Sequence, residues 1–229
     1  PHMTTLVFGH KSPDTDSTGS PIIWAWYLNQ ITGVDAAPAL LGEPNTEALF
    51  MLDHWKLDKP QIIEDVQADQ PVVIVDTNNP AELPASINDA NITAIIDHHR
   101  LVGGLETKGP VNIVMETLAC TATIMYKMIG DDMAQMPTNI KGAMLTCILS
   151  EDLGIDIPDY AAKMFAAKSD VSSFSEAELL RMDSKEYEVG GKQFRVSVLE
   201  TTSPKTVLDR KDALMAAMPG VATEDGADQ

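Results

Sequence analysis

The chain has 229 residues, 44% of them hydrophobic, so it can bury one large core or two small ones and does not have the composition of a disordered tail. Its 34 acidic and 16 basic residues give a net charge of −18, which argues against nucleic acid as a partner. The longest apolar run, residues 22–28, is too short to cross a bilayer and two cysteines are too few for a disulfide framework, so we expect a cytoplasmic protein that does not bind membranes.

The first half of the chain alternates short apolar runs with helical patterns. Four continuously apolar runs predict strands that are covered on both faces, at residues 4–8, 61–63, 72–75 and 92–96. Four helices are predicted between and after them, at residues 17–30, 46–55, 118–128 and 138–149. This order of elements predicts an α/β fold built on a doubly wound parallel sheet.

The pattern changes near residue 155, where we place a boundary between two domains, residues 4–154 and 155–229. In the second domain, helices are predicted at residues 159–168, 175–181 and 205–218, and two strands within residues 186–200. The last nine residues are predicted to trail off without regular structure. Because a hairpin and three helices offer few strands for a core, we expect this smaller α+β domain to be incomplete.

Ionisable side chains follow three of the predicted strands. His10 follows the first strand, Asp76 the third, and the run Asp97-His98-His99 the fourth. Because the carboxyl ends of neighbouring parallel strands meet at one edge of a sheet, these side chains should converge. Convergence would build a metal site.

The segment at residues 10–17 adds two carboxylates, Asp14 and Asp16, within one strand-to-helix turn. Their alternation lets them point to different sides of one site. Taken alone, the segment fits equally well with Asp16 or Ser17 only capping the following helix.

The residues that follow the third and fourth predicted strands also have two interpretations. Asp76 could simply cap the turn at residues 76–80, which is its commoner role when taken singly. The adjacent His98 and His99 are harder to explain that way, since one imidazole can bind a metal ion while the other contacts substrate and Asp97 fixes a ring tautomer.

Three carboxylates and two imidazoles suit Mn²⁺, Co²⁺ or Mg²⁺ better than structural zinc, and the predicted ligands are His10, Asp14, Asp16, Asp76 and His98. Two ions can use this set if one carboxylate bridges them. Paired metal ions typically support in-line hydrolysis of phosphoryl groups, so the sequence predicts a phosphoester or phosphoanhydride hydrolase.

Six segments occur together in one order along the chain: GHKSPDTDS (9–17), VVIVDTN (72–78), AIIDHH (94–99), ETLACTATIMYKMI (116–129), AAKSD (166–170) and EYEVGGKQFRVSVLET (186–201). In combination they resemble the manganese-dependent, family II inorganic pyrophosphatases of the DHH phosphoesterase superfamily. The resemblance implies hydrolysis of pyrophosphate to two phosphates in a homodimer, by a water molecule that two Mn²⁺ ions per subunit activate. Co²⁺ could replace Mn²⁺, and the substrate would arrive with Mg²⁺.

The resemblance also implies roles for single residues. His10 and Asp14 would bind one ion, Asp16 and His98 the other, and Asp76 would bridge them. Two further side chains, His99 and Lys168, would contact the phosphates. Residues 4–154 would be the catalytic DHH domain and residues 155–229 a partial substrate-binding, DHHA2-like domain.

The chain departs from the family pattern in two places. The family continues after Ser150 with a metal-binding aspartate and several dozen further residues, whereas here Glu151 follows, which we assign to the far side of that stretch. The chain also stops before the family's C-terminal strands and basic segment. We therefore expect an intact protein clearly heavier than the 24.8 kDa of this sequence.

Two other functions stay open on sequence alone. A DHH phosphodiesterase of short oligonucleotides or cyclic dinucleotides would use the same metal ligands, although we find no glycine-rich motif for nucleic acid in the second domain. A metal-binding module that has lost catalysis would fit the missing ligand and the missing basic segment.

Overall fold

A six-stranded parallel sheet forms the centre of the larger domain in this computed structural model, which describes residues 3–151 and 158–228. Its strands are β1 (Thr5–Phe8), β2 (Ala36–Leu40), β3 (Gln61–Ile62), β4 (Pro71–Val75), β5 (Asn91–Asp97) and β6 (Asn112–Met115). They lie in the order β3-β2-β1-β4-β5-β6 with every neighbouring pair parallel. The strand order reverses between β1 and β4, and ligands bind at such a switch point of a doubly wound sheet.

Alternate residues of β4 enter two separate cores, which explains why its sequence is continuously apolar. Val73 and Val75 face a core shared with the four helices of this domain, α1 (Thr15–Tyr27), α2 (Thr46–His54), α3 (Thr121–Ile129) and α4 (Thr138–Glu151). Val72 and Ile74 face a second core that is completed by loops and short turns. The predicted α/β class with a parallel sheet is confirmed.

Two strands of the sheet are missing from the sequence prediction. The β2 sequence AAPAL has small side chains and a proline, which give it a weak strand signal. The β6 strand is short and lies at an edge of the sheet, where Ile113 is 52% exposed. In both cases pairing with a neighbouring strand, rather than local sequence, determines the structure.

The second part of the chain packs around its own small core. Its elements are α5 (Pro158–Ser169), α6 (Glu176–Arg181), the antiparallel hairpin β7 (Ser184–Val189) and β8 (Lys192–Ser197), α7 (Pro204–Leu208) and α8 (Lys211–Asp225). Leu179, Leu214 and Val221 are buried in this core. The predicted domain boundary near residue 155 lies outside the described residues.

The end of the chain is more regular than predicted. The prediction of one helix at residues 205–218 followed by an unstructured tail is wrong, since α7 and α8 are separate and α8 continues to Asp225. The Asp225 carboxylate accepts hydrogen bonds from the guanidinium group of Arg181 at 2.9–3.1 Å, which fixes the last turn of α8 against α6. None of the helices in the described ranges combines the length and apolar composition needed to cross a bilayer.

Candidate metal centre

The loop between β1 and α1 carries the first candidate ligands. His10 is buried, and its Nδ1 lies 2.7 Å from the carbonyl oxygen of Lys11, so its Nε2 is the atom available to a ligand. That Nε2 lies 3.4 Å from Asp14 Oδ2. Asp14 is also the N-cap of α1, because its other oxygen accepts the backbone N–H of Ser17 at 2.8 Å. Capping and ligation are therefore compatible at Asp14.

Asp76, directly after β4, lies at the centre of the cluster and is 1% exposed. Its Oδ2 accepts a hydrogen bond from the Ser17 hydroxyl at 2.6 Å and lies 3.5 Å from His10 Nε2. Its Oδ1 accepts from the Thr121 hydroxyl at 3.1 Å and lies 3.2 Å from His98 Nε2. The two oxygens of one carboxylate therefore face two different histidines.

The carboxylate of Asp16, a residue of the first turn of α1, lies at the N-terminus of α3. Its oxygens accept the backbone N–H groups of Thr121 at 2.6 Å and Ala122 at 3.1 Å, and the Ser20 hydroxyl at 2.9 Å. The positive end of a helix stabilises a carboxylate in this position. Its Oδ2 comes within 4.0 Å of His98 Nε2, which connects Asp16 to the cluster.

Hydrogen bonds to Leu118 and Asp97 orient the rings of His98 and His99. His98 Nδ1 lies 3.0 Å from the carbonyl oxygen of Leu118, which directs Nε2 towards Asp76. The buried Asp97 accepts the backbone N–H groups of both histidines and lies 2.8 Å from His99 Nδ1. His99 is 41% exposed, so its outer edge faces solvent.

Two groups of donor atoms in the described chain are close enough to hold a cation, and both contain Asp76. Within each group the donor atoms lie within 4.8 Å of one another, and the groups are His10, Asp14 and Asp76, and Asp76, His98 and His99. The two groups contain four of the five residues predicted as metal ligands, and the fifth, Asp16, lies outside them with its Oδ2 4.0 Å from His98 Nε2. The structure places His99, predicted to contact substrate, in the second group.

The electrostatics of the cluster fit a site for cations. Burial and the neighbouring carboxylates of Asp76 and Asp14 raise the pKa of Asp16. Burial lowers the pKa of His10, but the carboxylates of Asp14 and Asp76 outweigh it and raise that pKa to about 10. Within residues 3–151 and 158–228, no lysine or arginine forms an ion pair with these three carboxylates. Oxygen and imidazole donors with excess negative charge suit hard or borderline divalent ions.

Lys168 lies outside the two donor groups, in the last turn of α5. Its Nζ is 2.6 Å from Glu200 Oε2 and 3.7 Å from Glu47 Oε2. Burial lowers the pKa of Lys168, but these carboxylates outweigh it and raise the pKa, so the side chain is an ammonium ion. Glu47 accepts a hydrogen bond from the hydroxyl of Thr15, the first residue of α1, which lies between Asp14 and Asp16 in the sequence and so connects Lys168 to the cluster.

A cavity of about 910 Å³ lies between the carboxyl edge of the sheet and the second domain, with His99 in its lining. Two contacts between the domains join residues of this lining. Asn45 Nδ2 donates to Asp183 Oδ1 at 3.1 Å, and Lys185 Nζ lies 3.2 Å from Glu82 Oε1. The sequence prediction missed these contacts, since no local pattern pairs residues so far apart along the chain.

Asp183 predicts a pH dependence of stability. Burial, with the nearby charge of Asp14, raises the pKa of Asp183 to about 6, above the value of about 3.9 in an unfolded chain. A raised carboxyl pKa favours the folded state at low pH, and this contribution is lost as the pH rises from about 4 to about 6. We therefore expect Asp183→Asn to unfold with about 1–3 kcal/mol more free energy than the unsubstituted protein at pH 8, and with an equal free energy at pH 4. Denaturant unfolding in the presence of a chelator measures this, and an effect of the same size at both pH values would contradict it.

Family models match both parts of the chain. The model described as the DHH family, N-terminal domain, matches residues 4–150, and the model of the DHHA2 domain matches residues 162–229. The first of these matches covers more than half of the chain.

Curated relatives and a solved structure agree with these matches. A protein of Lactobacillus acidophilus named as a manganese-dependent inorganic pyrophosphatase is 30% identical over 97% of this chain and 78% of its own length. A protein of the same name from Staphylococcus haemolyticus is 33% identical over 93% of this chain and 76% of its own length. A crystal structure from Methanococcus jannaschii, named as a family II inorganic pyrophosphatase, shares the fold with a TM-score of 0.83 and 24% identity, over 98% of this chain and 81% of that one.

Proposed function

Since the chain belongs to the DHH family and, within it, to the manganese-dependent inorganic pyrophosphatases, we propose that it hydrolyses inorganic pyrophosphate to two phosphates. The observation that supports this most strongly is the position of Asp76. Its two oxygens face two groups of histidine and carboxylate donors, which is the arrangement that a carboxylate bridging two cations requires.

We assign two Mn²⁺ ions per subunit to this cluster. One would be held by His10 and Asp14, the other by Asp16 and His98, with Asp76 shared between them. Co²⁺ prefers similar donors, and Mg²⁺ would accompany the substrate. When bound, such a pair of cations lowers the pKa of a water molecule and neutralises charge on the phosphoryl oxygens.

The residues around the ligands hold the donor atoms in place. Hydrogen bonds from Nδ1 of His10 and of His98 to backbone carbonyls keep one ring proton on Nδ1, so each Nε2 faces the cluster and would offer its lone pair once a cation displaces the proton there. The hydroxyls of Ser17 and Thr121 each donate to one oxygen of Asp76 and fix its orientation. The cluster is therefore preorganised before an ion binds.

Two side chains would act on the substrate. Because His99 Nδ1 forms a hydrogen bond with Asp97, Nε2 of the His99 ring is the nitrogen that would contact a phosphate oxygen in the cavity. Lys168 would supply an ammonium charge to the other phosphate. Both would stabilise negative charge that develops as the bridging P–O bond breaks, and closure of the second domain would exclude bulk water.

We further propose a cytoplasmic homodimer of chains with a catalytic domain at residues 4–154 and a substrate-binding domain at residues 155–229. Both cysteines are buried and neither forms a disulfide within the described chain, as a reducing compartment favours. The outer edge of β6 pairs with no strand of the described chain, so a second copy could extend the sheet there. The net charge of −18 supports the absence of nucleic acid and anionic membranes as partners.

The proposed function is tested by phosphate release in the presence of Mn²⁺. We expect faster turnover of pyrophosphate than of a linear or cyclic dinucleotide at equal concentration. Faster turnover of a dinucleotide would favour the phosphodiesterase. Tight Mn²⁺ binding without turnover of any of these substrates, in a sample of verified mass, would favour the module that has lost catalysis.

A further inference from the structure

The ammonium group of Lys168 lies between two carboxylates in different surroundings. The Glu47 side chain is 1% exposed, whereas that of Glu200 is 69% exposed. The exposed carboxylate is the nearer one, at 2.6 Å from Nζ against 3.7 Å for Glu47. Two negative charges therefore share one positive charge at a position where a substrate anion is expected.

Glu47 is fixed within the first domain. Its Oε1 accepts the hydroxyls of Thr15 and Ser150, while its Oε2 is buried and has no hydrogen-bond partner in the described chain. A buried carboxylate oxygen without a donor is costly, so the Lys168 ammonium beside it compensates the charge. The neighbouring Thr46 hydroxyl donates to the Lys168 carbonyl oxygen at 3.1 Å and fixes the backbone as well. The first turn of α2 therefore fixes both the backbone and the ammonium group of Lys168 on the side that faces the first domain.

Glu200 contacts Lys168 on the solvent-exposed side, where another anion can take its place. It lies in the loop after β8. A hydrogen bond of 2.8 Å from the backbone N–H of Thr202 to the Ser169 hydroxyl oxygen attaches this loop to the end of α5. The Glu200 carboxylate itself is exposed, and exposed ion pairs contribute little free energy and exchange readily. A phosphate oxygen offers the ammonium the same kind of anionic acceptor as a carboxylate oxygen does.

We propose that Glu47 and Glu200 form a carboxylate clamp on Lys168, in which Glu47 is a positioning residue and Glu200 is a competitor that a phosphate group of the substrate displaces. This inference rests on the proposed function, because it takes pyrophosphate as the incoming anion. The two glutamates then have opposite effects: Glu47 strengthens substrate binding and Glu200 weakens it.

Steady-state kinetics with Mn²⁺ test the clamp. We expect Glu200→Gln to lower KM for pyrophosphate roughly two- to fivefold with little change in kcat, because an exposed competing ion pair is removed. We expect Glu47→Gln to raise KM about fivefold or more, since Lys168 is then left to Glu200 alone. The double variant should return KM to near the unsubstituted value. The matched control is Glu188→Gln, which removes one exposed charge from β7. Within the described chain, the Glu188 carboxylate accepts a hydrogen bond only from Gln193, at 3.2 Å. This variant should leave KM unchanged.

Binding of inorganic phosphate provides a measurement that needs no turnover. Calorimetric titration of the Mn²⁺-loaded protein with phosphate should give a dissociation constant two- to fivefold lower in Glu200→Gln, by the same argument. This separates the clamp from the proposed function, since a protein that fails to hydrolyse pyrophosphate can still show or lack the shift. Should Glu47→Gln fold poorly, the exposed Glu200 variant carries the test. Unchanged or weaker phosphate binding in Glu200→Gln would overturn the clamp, as would a Lys168→Ala variant with unaltered affinity.

Discussion

Replacing Asp76 by asparagine is expected to lower kcat for pyrophosphate by at least about a thousandfold, because both donor groups lose a charged oxygen in one substitution. Asparagine is the suitable replacement. The backbone of Asp76 is left-handed, with a φ of 60°, which asparagine tolerates better than alanine does. Its amide oxygen can also keep one of the hydrogen bonds from Ser17 and Thr121.

The matched control for this variant is His54→Ala. His54 is exposed on α2, and its ring contacts the rings of Trp55 and Tyr160 with centroids 4.9 Å away. It belongs to neither of the two donor groups. We expect kcat and KM for pyrophosphate to stay within about twofold of the unsubstituted protein, as for most substitutions outside a site. Equal losses of activity in the two variants would refute the role of Asp76.

Mn²⁺ is expected to raise the melting temperature by about 10 °C when its concentration is about a thousand times the dissociation constant, because it binds only the folded cluster. The physical reason is the repulsion among Asp14, Asp16 and Asp76, which have histidines but no lysine or arginine of the described ranges as ion-pair partners. Thermal unfolding with Mn²⁺ and with a chelator measures the shift.

The same thermal measurement on Asp76→Asn distinguishes specific from general ion binding. The variant should show a much smaller shift, since the carboxylate shared by both groups is gone. An equal shift in both proteins would place the stabilising ions elsewhere on the acidic surface.

The fold could be predicted where sequence and packing give the same signal. The run at β4 is apolar on both sides because its residues enter two cores, and that property is visible in the sequence itself. β2 could not be predicted, since AAPAL becomes a strand only through its pairing with β1 and β3. The end of α8 depends in the same way on the bonds between Arg181 and Asp225, which are 44 residues apart.

The candidate ligands could be predicted because each follows a strand or begins a helix at the same edge of the sheet. The residues that orient them could not. The bonds from Thr121 to Asp16 and from Asn45 to Asp183 join positions 105 and 138 residues apart, so they depend on the packing of whole elements. Glu47 gave no signal either, because its role requires both Thr15 and Lys168 to be brought to α2.

The most direct test of the central proposal, that two cations share Asp76, is a crystal structure of the protein grown with Mn²⁺ and measured at the manganese absorption edge. We expect two anomalous peaks roughly 3.5–4 Å apart, one on each side of the Asp76 carboxylate, near His10 and His98 respectively. A single peak, or two peaks that do not both contact Asp76, would contradict the account.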